Sequence, residues 1–359
     1  MARMKSKKSM NTGSSNGVES VQVEGLSQSK IIRTKFFRHR VAVTALVILI
    51  FVILLSFTSS GIHLGTDTNP IHIQGWWPLY ITDIDPDGAL ASICNGGISG
   101  CPTMDLLPSF IDGSPMQLGA HPIGSDDIGV DWWALVTRGA EQSLTVMVIV
   151  GVLGITIGTT IGAVAGFFGG IVDAVLMRLT DIFLVTPTLI LGAIIGQKFG
   201  NLGVVPLAVM LGFFAWMGLA RFVRTEFLTL REREFVDAAR VAGSSNRRII
   251  FKHILPNAIG IIIVSGTLLL SGAILIETAL SFLGFGVKAP DVSLGLLISQ
   301  NQASFLVAPW LFWWPGAFII VIALCINFIG DGLRDAFDPR QLRTIPKVKK
   351  SGRARKSLV

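Results

Sequence analysis

Long apolar runs separated by short polar interruptions set the pattern of this chain. The first, Val41–Phe57, follows a polar stretch over residues 1–40. Others cover about Gln142–Phe168, Ile171–Gly196, Gly203–Val223, Ala258–Phe282 and Pro309–Ile329. A helix needs about 20 apolar residues to cross the bilayer hydrocarbon, so the pattern predicts six transmembrane helices. Alternating segments of roughly ten residues, which would indicate a membrane β-barrel, do not occur. The expected fold is an all-α integral membrane protein. Residues 1–40 are a basic tail, 41–60 the first helix, 61–141 a large loop, 142–332 the core with helices two to six, and 333–359 a second basic tail. Pro187 predicts a kink within the third span.

One polar stretch interrupts the core, in residues 224–256. From Glu226 to Pro256 it reads EFLTLREREFVDAARVAGSSNRRIIFKHILP. At helical spacing Leu228, Phe235, Ala239 and Ala242 share a face, which predicts an amphipathic helix. Gly243 supplies a stop. Ser244, Ser245 and Asn246 are good caps for a second short helix, which Pro256 is expected to close. Two short helices held between spans are expected to form a docking surface.

Composition agrees with a membrane protein. The 359 residues are 51% hydrophobic and only 15% charged, where a soluble domain carries about 25%, and the mean hydropathy is +0.63. A net charge of +7 raises nucleic acid as a partner, but the basic residues flank the spans without interleaved aromatics, which is a membrane arrangement. From Gly61 to Thr137 there is no lysine or arginine, while Asp67, Asp83, Asp85, Asp87, Asp105, Asp112, Asp126, Asp127 and Asp131 all occur. The positive-inside rule places that loop outside and both termini in the cytoplasm, leaving only Arg138, Lys198 and Lys288 outside. The loop reads as an irregular cap around Trp76, Trp77 and Pro78, with Trp132 and Trp133 at the membrane interface.

Candidate chemistry is sparse. Gly154, Gly158, Gly162 and Gly166 recur every fourth residue, a helix-packing stripe that allows close approach of another helix. Glu277, an acid within a span, is a candidate for the pathway or for a structural hydrogen bond. Cys94 and Cys101 bracket a polar loop whose spacing permits a disulfide without requiring one. Zinc binding by these with His63, His72 or His121 fits no familiar spacing, so no metal is expected. There is no phosphate loop, metalloprotease helix or nucleophile elbow, and the chain reads as a transport subunit without an enzyme site.

Asp237-Ala238-Ala239 and Gly243, followed by His253-Ile254-Leu255-Pro256, resemble the EAA loop of ABC-transporter permease subunits. The segments His121–Gly129, Glu277–Gly286 and Gly330–Arg340 resemble further motifs of the dipeptide, oligopeptide and nickel importer family, in its C-type subunit. The resemblance implies six helices of the ABC type I importer kind. It implies a cytoplasmic coupling loop using Phe235, Asp237, Ala238, Ala239, Arg240, Gly243, His253, Leu255 and Pro256. It also implies four partners besides membrane lipid: a second homologous permease, two ATP-binding subunits and an extracytoplasmic substrate-binding protein. ATP and magnesium would sit on the ATPase subunits and no cofactor on this chain. Di- or oligopeptides are the implied cargo, with nickel chelates or other small solutes as the alternative within the class. A self-sufficient carrier or channel is the alternative outside it. The chain departs from the family pattern at Asp237, where the motif has Glu, at Val130, where Arg is frequent, and in its longer outer loop.

Overall fold

The computed structural model describes residues 28–59, 62–64, 71–73, 75–79, 81, 101–102, 121–126 and 128–337. It is helical, with one small ribbon. Helix α1 (Gln28–Arg38) leads into α2 (Arg40–Ser59). Strands β1 (Ile62–Leu64) and β2 (Ile71–Ile73) pair antiparallel, His63 opposite His72. Then follow α3 (Trp132–Phe168), α4 (Gly170–Val185), α5 (Thr188–Phe199), α6 (Val204–Phe213), α7 (Met217–Arg231) and α8 (Glu234–Val241). Helix α9 runs over Asn246–Phe282, and α10 (Leu294–Asn301) and α11 (Trp310–Phe337) complete the order.

Among the described residues four helices, α2, α3, α9 and α11, are long and apolar enough to cross a membrane. Two bent pairs bring the number to six if each counts as one span: α4 with α5, bent by 81°, and α6 with α7, bent by 40°. Pro187 accounts for the first bend. It lacks the N–H that would continue α4, and it caps α5, where its carbonyl accepts from Leu191 N at 3.1 Å. The second bend, at Phe214–Trp216, has no proline or glycine within it. There Phe183 from α4 packs against Phe214 at 5.7 Å and Trp216 at 6.5 Å, so tertiary contact supports the break.

Several expected boundaries move. Part of the tail assigned to 1–40 is helix α1, because Ile32 and Phe36 find cover against Leu333 and Ala336 of α11. Helix α3 begins at Trp132, well inside the stretch assigned to the 61–141 loop. Asp131 caps it by accepting from Ala134 N at 2.9 Å, and Arg138 pairs with Glu141 at 2.7 Å, so polar residues sustain the first turns. Trp132 is buried in the core and not at a rim. Helix α11 extends to Phe337, into the tail assigned to 333–359.

Pro256 does not close a second short helix. Asn246–Phe282 is continuous, and Ile249–Ile254 within it is a π-helical turn in which Leu255 N donates to Ile250 O. Proline offers no donor for an ordinary turn. The wider turn ahead of it, together with Asn257 Nδ2 donating to His253 O at 2.6 Å, carries the helix past that gap.

The glycine stripe of α3 faces α7. A Cβ on Gly158 would lie 2.9 Å from Trp216 O, on Gly162 2.5 Å from Ala220 O, and on Gly166 2.7 Å from Arg224 O, while Gly154 meets Leu269 of α9. Bare backbone on α3 thus lies directly on the carbonyls of α7, the close approach that small residues permit between membrane helices. At the same end of the bundle lie the α3–α4 turn, α8, α1 and the last turns of α11, where His39 faces Asp335 at 3.7 Å.

The opposite end is tied by one carboxylate. Asp131 Oδ1 meets His121 Nδ1 at 2.8 Å and its Oδ2 accepts from Trp77 Nε1 at 2.8 Å, with both partners of the His–Asp pair buried. Trp133 Nε1 donates to Ser59 Oγ at 3.0 Å, which fastens α2 to the start of α3. Cys101 is buried and disulfide-bonded, whereas Cys94 lies outside the described residues. Cys325 is a free, buried thiol on α11.

Candidate functional site: the α8 surface

Helix α8 hangs from α7 by Glu232 and Arg233 and returns to α9 through Gly243–Ser245. Its ending is a hydrogen-bonded αL turn. Ser244 N donates to Ala239 O at 3.0 Å and Gly243 N to Arg240 O at 2.9 Å, with Gly243 at φ 76°. That pairing satisfies carbonyls that a helix end leaves open, and glycine reaches the conformation without a Cβ penalty. Ser245 occupies the cap position of α9 by its backbone, with no side-chain hydrogen bond.

The short helix is held from within by Val236 and Ala239. Both are buried among Phe227, Leu230, Ile249 and Ile254. The face read from the sequence therefore divides. Ala239 points into the bundle, while Phe235, Ala238 and Ala242 stand in the open. Asp237 and Arg240 pair with each other at 2.9 Å on the exposed side. His253 and Leu255 are half-buried at the start of α9, and Pro256 is exposed.

Three residues outside the expected set complete this surface. Val236 is its inner anchor. Val241 is 90% exposed and Phe251 67% exposed, on either side of the Gly243 turn. Phe251 ends the apolar run Ile249–Phe251, whose first two residues turn inward, and Arg247, Arg248 and Lys252 around that run are all exposed. Val241 and Phe251 thus leave apolar surface open at the end of the short helix and the start of α9. Among the described residues no group of three or more His, Cys, Asp or Glu is assembled to hold a metal.

Glu277 lies elsewhere, buried where α3, α9 and α10 meet. Its Oε1 accepts from Ser281 Oγ at 2.7 Å and its Oε2 from Ser143 Oγ at 3.0 Å. Each serine in turn accepts a loop amide, Ser281 from Val287 N and Ser143 from Leu294 N. Gln142 binds the same loop, to Asp291 Oδ1 and Val292 N. The carboxylate closes two relays that hold residues 284–294 against the bundle. The structure places Glu277 in this network and not on the cavity described next.

A cavity of about 380 Å³ lies at the two helix breaks, walled by Phe183, Thr186, Phe214, Met217 and Gly218 together with α9. It is mainly apolar.

Comparison with known proteins adds to this geometry. Residues 158–343 match the family model for the inner membrane component of binding-protein-dependent transport systems. Residues 27–72 match the N-terminal TM domain of oligopeptide transport permease C. The chain is 45% identical over 226 residues to the oligopeptide transport system permease protein OppC of Mycobacterium tuberculosis (strain ATCC 25618 / H37Rv), covering 62% of this chain and 78% of that one. It is 35% identical over 324 residues to OppC of Haemophilus influenzae, covering 90% and 92%. A solved structure of the MetNI methionine ABC transporter in an inward-facing conformation aligns at a TM-score of 0.48 and 21% identity, over 57% of this chain and 96% of that one.

Proposed function

Since the chain belongs to the family of inner membrane components of binding-protein-dependent transport systems, we propose that it is the permease subunit of an ATP-binding-cassette importer that moves peptides into the cytoplasm. It is a multi-pass membrane protein. The near full-length likeness to oligopeptide permeases carries the peptide assignment.

The α8 surface supplies the coupling. It lies at the end of the bundle that holds α1 and the end of α11, and in this reading that end is cytoplasmic. An ATPase subunit covers Phe235, Val241 and Phe251 there, and a second ATPase subunit serves a sibling permease. A binding protein delivers peptide at the opposite end, where Trp77 and His121 meet Asp131 ahead of α3. ATP and magnesium bind on the ATPases. Nucleotide acts through its different affinity for the two states of the assembly, the condition for any ligand-driven switch.

Purification in mild detergent with the candidate ATPases tests this reading, followed by uptake of a labelled tripeptide into liposomes. Co-purification and ATP-dependent uptake are expected. Uptake by this chain without an ATPase would indicate a self-sufficient carrier, and uptake of a nickel chelate in preference to the tripeptide would change the cargo.

A further inference from the structure

Three arginines of α7 reach the α3–α4 hairpin in order. Arg231 Nη1 donates to the carbonyls of Gly166 and Phe167, at 3.4 and 3.2 Å. Arg224 grips Asp173 with two bonds, Nε to Oδ1 and Nη2 to Oδ2, both 2.5 Å. Arg221 pairs with Asp181 one step further along. The order is antiparallel, so the rungs fasten α7 to α4 along their facing lengths.

Packing alone would not fix that register. The seam between α3 and α7 seats Leu219, Val223 and Phe227 of α7 against Gly158, Gly162 and Gly166, so it registers α7 on α3 and does not by itself stop α4 sliding along α7. A bidentate Arg–carboxylate pair is directional and resists such sliding. Charges inside spans are also rarely placed without a partner or a role.

Beyond the rungs, near the end of α4, the ring of Phe183 lies on Phe214 and Trp216 at the α6–α7 break. Both helix breaks border the same cavity. A displacement of α8 passes to α7 through a two-residue link, and the rungs oblige α4 to follow. We infer that Asp173 and Arg224, with Asp181 and Arg221 as a second rung, are positioning residues that convert movement of α8 into a joint change of the two helix breaks around the cavity. The inference rests on α8 being the ATPase contact.

The test is run on the assembled transporter in liposomes, with Gly218→Cys as a reporter. Gly218 borders the cavity and a Cβ there meets nothing within 4 Å. Cys325 is replaced by serine, and maleimide labelling is measured with and without a non-hydrolysable ATP analogue. With the clasp intact, the analogue is expected to change the labelling rate by about fivefold or more. In Arg224→Gln and Asp173→Asn the ATPase still co-purifies and hydrolyses ATP, but the nucleotide-dependent change is lost. The exchanged pair, Asp173→Arg with Arg224→Asp, regains it. If the single variants do not assemble, Arg224→Lys keeps the charge without the double bond, and a reduced response there supports the clasp. An equal response in these variants, or no response with the clasp intact, overturns the inference. Loss of the ATPase from the unmodified complex is a different result, and it overturns the docking reading beneath.

Discussion

Gly162 lies so close to Ala220 that a methyl group on it would come within 2.5 Å of the Ala220 carbonyl oxygen. Gly162→Ala is therefore expected to push α3 from α7, at a cost of about 1–3 kcal/mol for an overpacked contact. Thermal unfolding in detergent should show the loss. Gly218→Ala, on the facing helix but with open space at its Cβ, should leave the midpoint unchanged.

Gly243 separates conformation from bulk. No atom lies within 4 Å of a would-be Cβ, so only its left-handed backbone opposes substitution. Gly243→Val is expected to cost about 1–2 kcal/mol or more, Gly243→Ala slightly less, and Gly243→Asn least, since asparagine tolerates this region. ATPase co-purification measured across the three should follow that order. A ranking by side-chain size would point to a steric cause instead.

Val241 and Phe251 are exposed in the isolated chain, so charging them should not harm its fold. Burial of such side chains in a complex contributes about 1.5–3 kcal/mol each. Val241→Asp and Phe251→Asp should each weaken capture of the ATPase by about tenfold or more, with an unchanged melting midpoint of the free subunit. Val236→Asp, at the inner anchor, should instead lower that midpoint.

Glu277 must accept from two serines at once. Glu277→Gln turns one acceptor into a donor facing Ser143 or Ser281, each already committed to a loop amide. The expected cost is about 1–3 kcal/mol for the group left unsatisfied. Hydrogen exchange should rise at Val287 and Leu294 and leave α7 and α8 unaffected.

The sequence exposed features that depend on spacing or on a single special residue. The four-residue repeat of Gly154–Gly166 announced a helix seam, and Pro187 announced a bend. Features that depend on a distant partner were hidden. The break at Phe214–Trp216 carries no proline or glycine and is supported by Phe183. The first turns of α3 read as loop, because Arg138 and Glu141 look solvated until they pair with one another. In α8, eight residues are too few for periodicity to choose an inner face. Val236 fills that role, and Phe235 and Ala242, grouped with Ala239 by spacing, turn away from it.

The π-helical turn at Ile249–Ile254 works as a phase offset. Wrapping one more residue into a turn than an α-helix does, it rotates everything before it relative to everything after it by about 100°. Arg247, Arg248 and the Gly243 turn are therefore aimed by a misalignment stored in the helix. Deleting one residue between Ile249 and Leu255 would leave an unbroken α-helix of nearly the same length, with all its apolar positions intact beyond the cut. It would nonetheless point α8 towards a different side of the bundle. The aim of the α8 surface is thus set by counting residues as well as by their chemistry.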